Sequence, residues 1–395
     1  MEFGLSDEER MIIDTVRQFV RKELLPLEPL VSRAEIEGRR FPDHDLHREL
    51  QLKAKTAGLW GLATPEEYGG NPLSTLMRTL IMMETGRALV SFNYGGGADN
   101  ILYGANEEQK RRYLIPTIEG QRRSCFALTE PDTGSDATNI NTSAVKDGDH
   151  WVINGRKFFI SNAPEADFAI VFAVTDREKR ARGGITAFLV DREMGWESRP
   201  IPLMSSWSAG EVLFDHVRVP DENVLGEVGN GFGLAMSWIG SGRINIPARA
   251  VGQAQRLLEI GLEYAQQRKA FGQPIAEYQA IQWMLADSAV EIEQVKWMVL
   301  HTAWKADQGQ DVRHDASMAK LSGAQMVWRV ADRMLQLHGG MGYTREVPIE
   351  RVLREVRVYR IFEGTDEIQK RSIARNLLRG FAPIGAWDAA PDAWH

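Results

Sequence analysis

Two stretches of the chain carry residue types that could do chemistry. In Ile361-Phe362-Glu363-Gly364-Thr365 a single carboxylate sits between an aromatic residue and a glycine, just ahead of a helix start. A glutamate held against apolar neighbours has its charged form desolvated, so its pKa rises toward the range useful to a general base. The alternative is a solvated loop glutamate. In Cys125-Phe126-Ala127-Leu128-Thr129-Glu130-Pro131-Asp132-Thr133-Gly134-Ser135-Asp136 a strand runs into a turn dense in hydroxyls, acids and glycine. Such a turn offers backbone amides and hydroxyls to a planar polar ligand.

Other patterns carry less. Gly229-x-Gly231-x-Gly233 lacks the full spacing and the strand, helix and strand setting of a dinucleotide loop. No Gly-Lys-Ser or Gly-Lys-Thr stands at Walker spacing. His44 and His47 lie three apart on an expected helix without a third ligand, the pattern of a solvated helix face, so no metal is expected. Gly240-Ser241-Gly242 is shorter than a nucleophile elbow and reads as a turn or a close helix contact. A single cysteine, Cys125, excludes an intramolecular disulfide and a cysteine-based metal site.

The elements that must position these stretches follow from composition and period. The 395 residues, 43% hydrophobic and 26% charged, give room for two or three domains with a large core. Lys plus Arg number 47 against 54 Asp plus Glu, a balance unlike that of a nucleic-acid coat. With no long apolar run and no signal or transit pattern at the N-terminus, a cytoplasmic location is expected.

Residues 1–122 are expected to be helical. Ser6 and Glu9 have capping-box spacing, Met11, Ile12, Thr15, Val16, Phe19 and Val20 recur at helical intervals, and Pro26 and Pro29 end or bend that helix. Further helices are expected over 43–57, 73–88 and 107–119. Residues 123–230 are expected to form a β domain, with Asp147-Gly148 and Asn154-Gly155 as hairpin turns and short strand-like runs over 168–174, 185–190 and 212–219. Residues 231–395 are expected to form a helical bundle. There Ile281, Leu285, Ile292, Val295 and Val299 share one face, and a last helix opens with Asp366 and Glu367 and stops at Gly380. Residues 381–395 read as a docked or frayed tail.

The two chemical stretches, taken with Arg268-Lys269-Ala270-Phe271-Gly272 and Gln336-Leu337-His338-Gly339-Gly340 in that order and spacing, resemble the acyl-CoA dehydrogenases. The resemblance runs from Leu5 to about Gly380. It implies an α+β fold with an N-terminal helical domain, a central β-barrel or sandwich domain and a C-terminal four-helix bundle.

The resemblance also implies an FAD cofactor lying against the acyl chain of a CoA thioester. Phe126, Leu128 and Thr129 match the strand that meets the flavin's pyrimidine side, and Gly134 and Ser135 match the turn that meets cofactor and CoA chain. Phe159 and Ser161 match an aromatic cover and a hydroxyl at the flavin's central nitrogen; many relatives carry Trp where this chain has Phe159. Arg268 resembles the arginine that pairs with the FAD pyrophosphate. Phe271 and Gln279 match positions near the adenosine, and Gln336 and Gly340 match a loop near the pyrophosphate, all typically donated by a neighbouring subunit. Thr365 and Glu367 fall where the family again touches FAD, although Gln is common at the latter position.

Glu363 matches the catalytic base and Arg243 an arginine near it. Phe362 and Gly364 flank the base on the substrate side. Many relatives carry Asp where this chain has Gly240. Some branched-chain and long-chain relatives place their base at the position of Gly242, which leaves Glu363 for that role here. The implied reaction is α,β-dehydrogenation to a trans-2-enoyl-CoA within fatty-acid β-oxidation, by a homotetramer arranged as a dimer of dimers that passes electrons to an electron-transferring flavoprotein. The alternative is an acyl-CoA oxidase or another flavin enzyme of acyl-CoA on the same fold.

Overall fold

The computed structural model describes residues 4–39, 41–205 and 208–380, without the side chain of Ser241. The expected tail at 381–395 lies outside the described residues. In chain order the helices are α1 (Asp7–Phe19), α2 (Glu28–Ile36), α3 (His44–Thr56), α4 (Thr75–Gly86), α5 (Glu107–Gln109), α6 (Ile115–Ile118), α7 (Gly231–Gln267), α8 (Gln279–Asp307), α9 (Arg313–His338), α10 (Ile349–Val356) and α11 (Asp366–Leu378). The strands are β1 (Ser124–Ala127), β2 (Ser143–Asp147), β3 (His150–Ser161), β4 (Phe168–Val174), β5 (Ile185–Asp191), β6 (Glu197–Pro200), β7 (Ala209–Pro220) and β8 (Val224–Leu225), with β9 (Lys269–Ala270) and β10 (Gln273–Pro274) as a separate hairpin. Two compact units result, one from the residues before 40, 74–91 and 242 onward, the other from the two stretches between them. No described helix is long and apolar enough to cross a membrane.

The second unit is built on a sheet of order β6-β7-β3-β2-β4-β5-β8, with β1 parallel to β4. β4 and β5 are buried along their whole length, which is why they read as unbroken apolar runs. Side chains alternate across a strand. Ala169, Val171 and Ala173 therefore enter one core with Trp151, Ile153, Phe188 and Phe214, while Phe168, Ile170 and Phe172 enter another with Leu102, Tyr113 and Leu114.

Asp147-Gly148 forms the expected hairpin between β2 and β3, where Asp147 faces His150. Asn154-Gly155 does not: it lies inside β3, where the register with β7 shifts at a bulge. The Asn154 Oδ1 accepts from the His216 amide at 2.8 Å, and a Cβ at residue 155 would lie 2.5 Å from Thr142 Oγ1. The pair serves a bulge packed against a neighbouring backbone, a use of glycine that the turn signal cannot distinguish. The expected helix over 107–119 is likewise interrupted, by a π turn at Lys110–Leu114. Pro116 has no N–H to return to the Arg112 carbonyl, which accepts instead from Arg122 Nη1 at 3.1 Å.

In the first unit α1 carries the expected capping box, its Ser6 and Glu9 bonding each other's amides. The chain stays helical past Pro26 and Pro29, through a π turn and a 3₁₀ turn into α2, because both prolines fall in first turns where a missing N–H is harmless. The amides of Thr75 and Leu76 at the start of α4 donate to the Asp307 carboxylate at 2.6 and 2.8 Å. On α8 the expected stripe is buried at Ile292, Val295 and Val299. α9 approaches α7 closely, since a Cβ at Gly323 would meet Pro247 at 2.6 Å. That contact brings the turn of α7 bearing Arg243 toward the turn of α9 bearing Lys320.

Candidate active site

Glu363 lies in the short link between the 3₁₀ turn Arg357–Arg360 and α11, with φ +54° at Glu363 and +87° at Gly364. A non-glycine residue in that region is strained and persists only where its surroundings enforce it. The Gln369 Nε2 donates to the carbonyls of Glu363 and Gly364 at 2.9 and 3.1 Å, and the Lys320 Nζ donates to the Gly364 carbonyl at 2.6 Å. A Cβ at residue 364 would lie 2.7 Å from Gln369 Nε2, so the position needs glycine for space as well as for conformation. On the other side the Phe362 ring stacks on Tyr359, centroids 5.6 Å apart.

The Glu363 carboxyl is aimed at α7. A Cβ at Gly242 would sit 2.9 Å from its Cδ and Oε2, so the glycine-for-close-contact reading of 240–242 holds at Gly242, while Gly240 faces open space. Glu363 Oε2 and Arg243 Nε are both buried, and neither has a hydrogen-bond partner among the described residues. Burial pushes the Glu363 carboxyl up to about 7, against the pull of Lys320 and Arg243. Burial likewise lowers Arg243, which Glu363 opposes. The result is a carboxylate with one free oxygen, poised near neutrality.

Thr365 caps α11, its hydroxyl accepting from the Ile368 amide at 3.3 Å, and Glu367 is exposed in the next turn. Arg268, Phe271, Gln279, Gln336 and Gly340 are all exposed, Phe271 to 98% at the tip of the β9–β10 hairpin. They are not gathered around Glu363. From Arg243 to the end of α7 at Gln267 is 24 residues, about 36 Å of helix, and Arg268 follows directly. The end of α7 is instead tied to the end of α9, where Tyr264 stacks on His338 with centroids 4.1 Å apart.

In the second unit the strand-to-turn segment is pinned from below. The Phe158 amide donates to the Thr129 carbonyl at 2.8 Å. The fully buried Lys157 donates to the Leu128 carbonyl at 3.0 Å and to Glu130 Oε1 at 2.9 Å. Glu130 also accepts from the Asn141 and Thr142 amides at 2.6 and 2.8 Å. Burial alone would raise its pKa, but Lys157 and these amides hold it below the usual range, while burial brings Lys157 down to about 8. The turn then presents Gly134 and Ser135 to solvent. Phe126 stacks on Trp238, centroids 4.1 Å apart, whose indole donates to Asp99 at 2.7 Å. Phe159 is 58% exposed with φ +58°, and Ser161 on the same strand is also exposed.

This segment of the second unit fits a planar polar cofactor. An exposed aromatic ring held in strained backbone, a serine hydroxyl two residues on, and the pinned Leu128–Thr129 backbone are the donor, acceptor and stacking groups such a ring needs. Among the described residues no group of three or more His, Cys, Asp or Glu could hold a metal ion. Lys320, Gln369 and Lys157, whose bonds hold these segments, did not stand out in the sequence, and Glu130 stood there only as one acid of the strand-to-turn segment. The one available signal was Lys320 itself, a lysine interrupting the small-residue face of Ala316, Ala319 and Gly323.

The acyl-CoA dehydrogenase N-terminal, middle and C-terminal domains match residues 6–121, 125–217 and 229–378. Over 98% of this chain and 100% of the relative, the sequence is 38% identical to (R)-benzylsuccinyl-CoA dehydrogenase of Thauera aromatica. It is 37% identical to 3-(aryl)acrylate reductase of Clostridium sporogenes over 95% of this chain and 99% of that one. The structure of butyryl-CoA dehydrogenase from Megasphaera elsdenii superposes with a TM-score of 0.84 at 33% identity, covering 96% of this chain and 100% of that one. The chain therefore belongs to the acyl-CoA dehydrogenase family of FAD-dependent oxidoreductases.

Proposed function

We propose that this protein removes two hydrogens from an acyl-CoA thioester to give the trans-2-enoyl-CoA, with Glu363 as the base. The observation that carries the reading is the Glu363 carboxyl: desolvated, directed at Gly242, with Oε2 unpartnered among the described residues. Proton removal beside a thioester carbonyl needs a carboxylate that is ionised yet poorly solvated, and this one lies near that balance. The proton would pass to a carboxylate oxygen of Glu363. The Glu363 backbone N–H would donate to the thioester oxygen, where negative charge develops. Arg243 would keep the ionised carboxylate within reach of a positive charge. When bound, FAD supplies the hydride acceptor.

Leu128, Thr129, Ser135, Phe159 and Ser161 would hold the flavin, with Phe126 and Gly134 shaping that segment and Thr365 and Glu367 adding contacts. Arg268, Phe271, Gln279, Gln336 and Gly340 would complete the cofactor site of a second copy. The roughly 36 Å of helix between Arg243 and Arg268 supports this arrangement. So does the face of α8, where Trp283, Val290, Trp297 and Trp304 recur every seven residues and are exposed. We read the assembly as a dimer of dimers, its electron acceptor as an electron-transferring flavoprotein, its division as 1–122, 123–230 and 231–395, its location as cytoplasmic and its role as fatty-acid β-oxidation.

The test is anaerobic mixing of the flavoprotein with a panel of acyl-CoA thioesters. At least one should bleach the flavin in a single turnover. Glu363→Gln should bind FAD and thioester yet bleach at least roughly a hundredfold more slowly, the lower range of what a positioned base contributes. Bleaching of the variant at the wild-type rate overturns the assignment, and rapid peroxide formation in air without another acceptor would make the enzyme an oxidase.

A further inference from the structure

Lys320 lies on the inward side of α9 with Ala316, Ala319, Gly323 and Ala324, and is fully buried. Packing alone gives no reason for an ammonium there, because burying a charge is costly unless a specific partner compensates. Its compensation is the Gly364 carbonyl, 2.6 Å from Nζ. Gln369 on α11 reaches the same carbonyl and that of Glu363 from another side. Two donors from two helices thus converge on consecutive carbonyls of the turn that carries the carboxylate.

We propose that Lys320 is a positioning residue for the reaction, holding the strained turn so that the Glu363 carboxyl points past Gly242 and supplying the positive charge that lets it ionise. The inference rests on Glu363 being the base. The positioning half follows from the geometry, and the charge half from the pull that Lys320 exerts on the Glu363 carboxyl. Releasing the Gly364 carbonyl leaves Gln369 alone to hold two residues at positive φ, and a base displaced by about 1 Å can cost two orders of magnitude in rate.

The groups facing this carboxylate and its lysine are Arg243 from α7 and Asp366 and Glu367 from the start of α11. Asp366 is itself bonded by Arg360 at 2.7 Å and by Gln325 at 3.1 Å. Burial brings Lys320 down to about 8, opposed by Asp366 and Glu363, and in its charged form it favours the ionised Glu363.

The experiment compares wild type, Lys320→Met and Lys320→Gln as FAD-loaded proteins. FAD content and unfolding midpoint are measured first, then single-turnover flavin reduction by a saturating acyl-CoA across pH. Lys320→Met should lose at least about tenfold in limiting rate. Its acid limb should move up by roughly one unit, because a carboxylate deprived of a neighbouring cation is harder to ionise. Lys320→Gln keeps a donor without the charge. It should recover most of the limiting rate while its acid limb stays displaced.

A lower midpoint with an unchanged rate and pH profile would make Lys320 a structural residue only and overturn the proposal. If neither variant holds FAD, Gln369→Met decides. Removing the second donor while keeping the charge should slow reduction without moving the acid limb, and an unchanged rate overturns the positioning role. Glu363→Gln is run in parallel. Wild-type speed there means that the base assignment has failed, whereas a slow Glu363→Gln beside a normal Lys320→Met rejects Lys320 alone.

Discussion

Each unit of the molecule contains a buried lysine beneath a backbone carbonyl with a glutamate close by, and the two glutamates behave in opposite ways. In the second unit Glu130 accepts from Lys157 and two amides, and its pKa is held low. In the first unit Lys320 spends its bond on the Gly364 carbonyl, the Glu363 Oε2 stays unpartnered among the described residues, and the pKa rises. Burial acts on both carboxyls. The number of donors aimed at each decides whether it becomes a fixed anion or one that can accept a proton.

Lys157→Met should have the largest effect on stability, because it strands Glu130 as a buried charge. A loss of about 3 to 5 kcal/mol in denaturant unfolding is expected. A loss below about 1 kcal/mol would mean that the pair is no tighter than an exposed one. Gly364→Ala comes next, since a Cβ would be forced against Gln369 at φ +87°. About 1 to 3 kcal/mol is expected from the strain, with slower flavin reduction.

The titration of Glu363 gives a third contrast. Its folded pKa lies above the unfolded value, so its contribution to stability is full at low pH and disappears as pH rises through about 7. Glu363→Gln should accordingly raise the unfolding midpoint near pH 8 relative to wild type more than it does near pH 5. Equal shifts at both would show that the carboxyl is not desolvated. Gly242→Ala places a methyl group against the carboxyl and should slow flavin reduction by about tenfold with a smaller change in stability. Glu367→Gln, at an exposed site, should alter stability by no more than about 0.5 kcal/mol.

Much of this arrangement was legible in the sequence for physical reasons. β4 and β5 are covered on both faces and so are apolar throughout, and the α1 and α11 starts depend on local capping chemistry that three or four residues encode. Glu363 stood out because an aromatic residue and a glycine flank it just ahead of a helix start, whereas Gly242, which its carboxyl faces, lies 121 positions earlier. Lys320 lies 43 positions before Glu363, and Glu130 is 27 from Lys157, so nothing local marks either lysine as a partner. Asn154-Gly155 misled for a related reason: the same dipeptide suits a turn or a bulge, and Thr142 on the neighbouring backbone makes the choice.

The proposed role of Glu363 as a base rests on a desolvated carboxyl whose Oε2 has no partner among the described residues. The most direct test is the pH dependence of flavin reduction by a good acyl-CoA, in wild type and in Glu363→Gln. The wild-type rate should rise with pH through about 7, as the carboxyl loses its proton, and the slow residual rate of Glu363→Gln should show no such limb. A wild-type acid limb at the ordinary carboxylate value of about 4.3, or a limb near 7 that persists in Glu363→Gln, would contradict it.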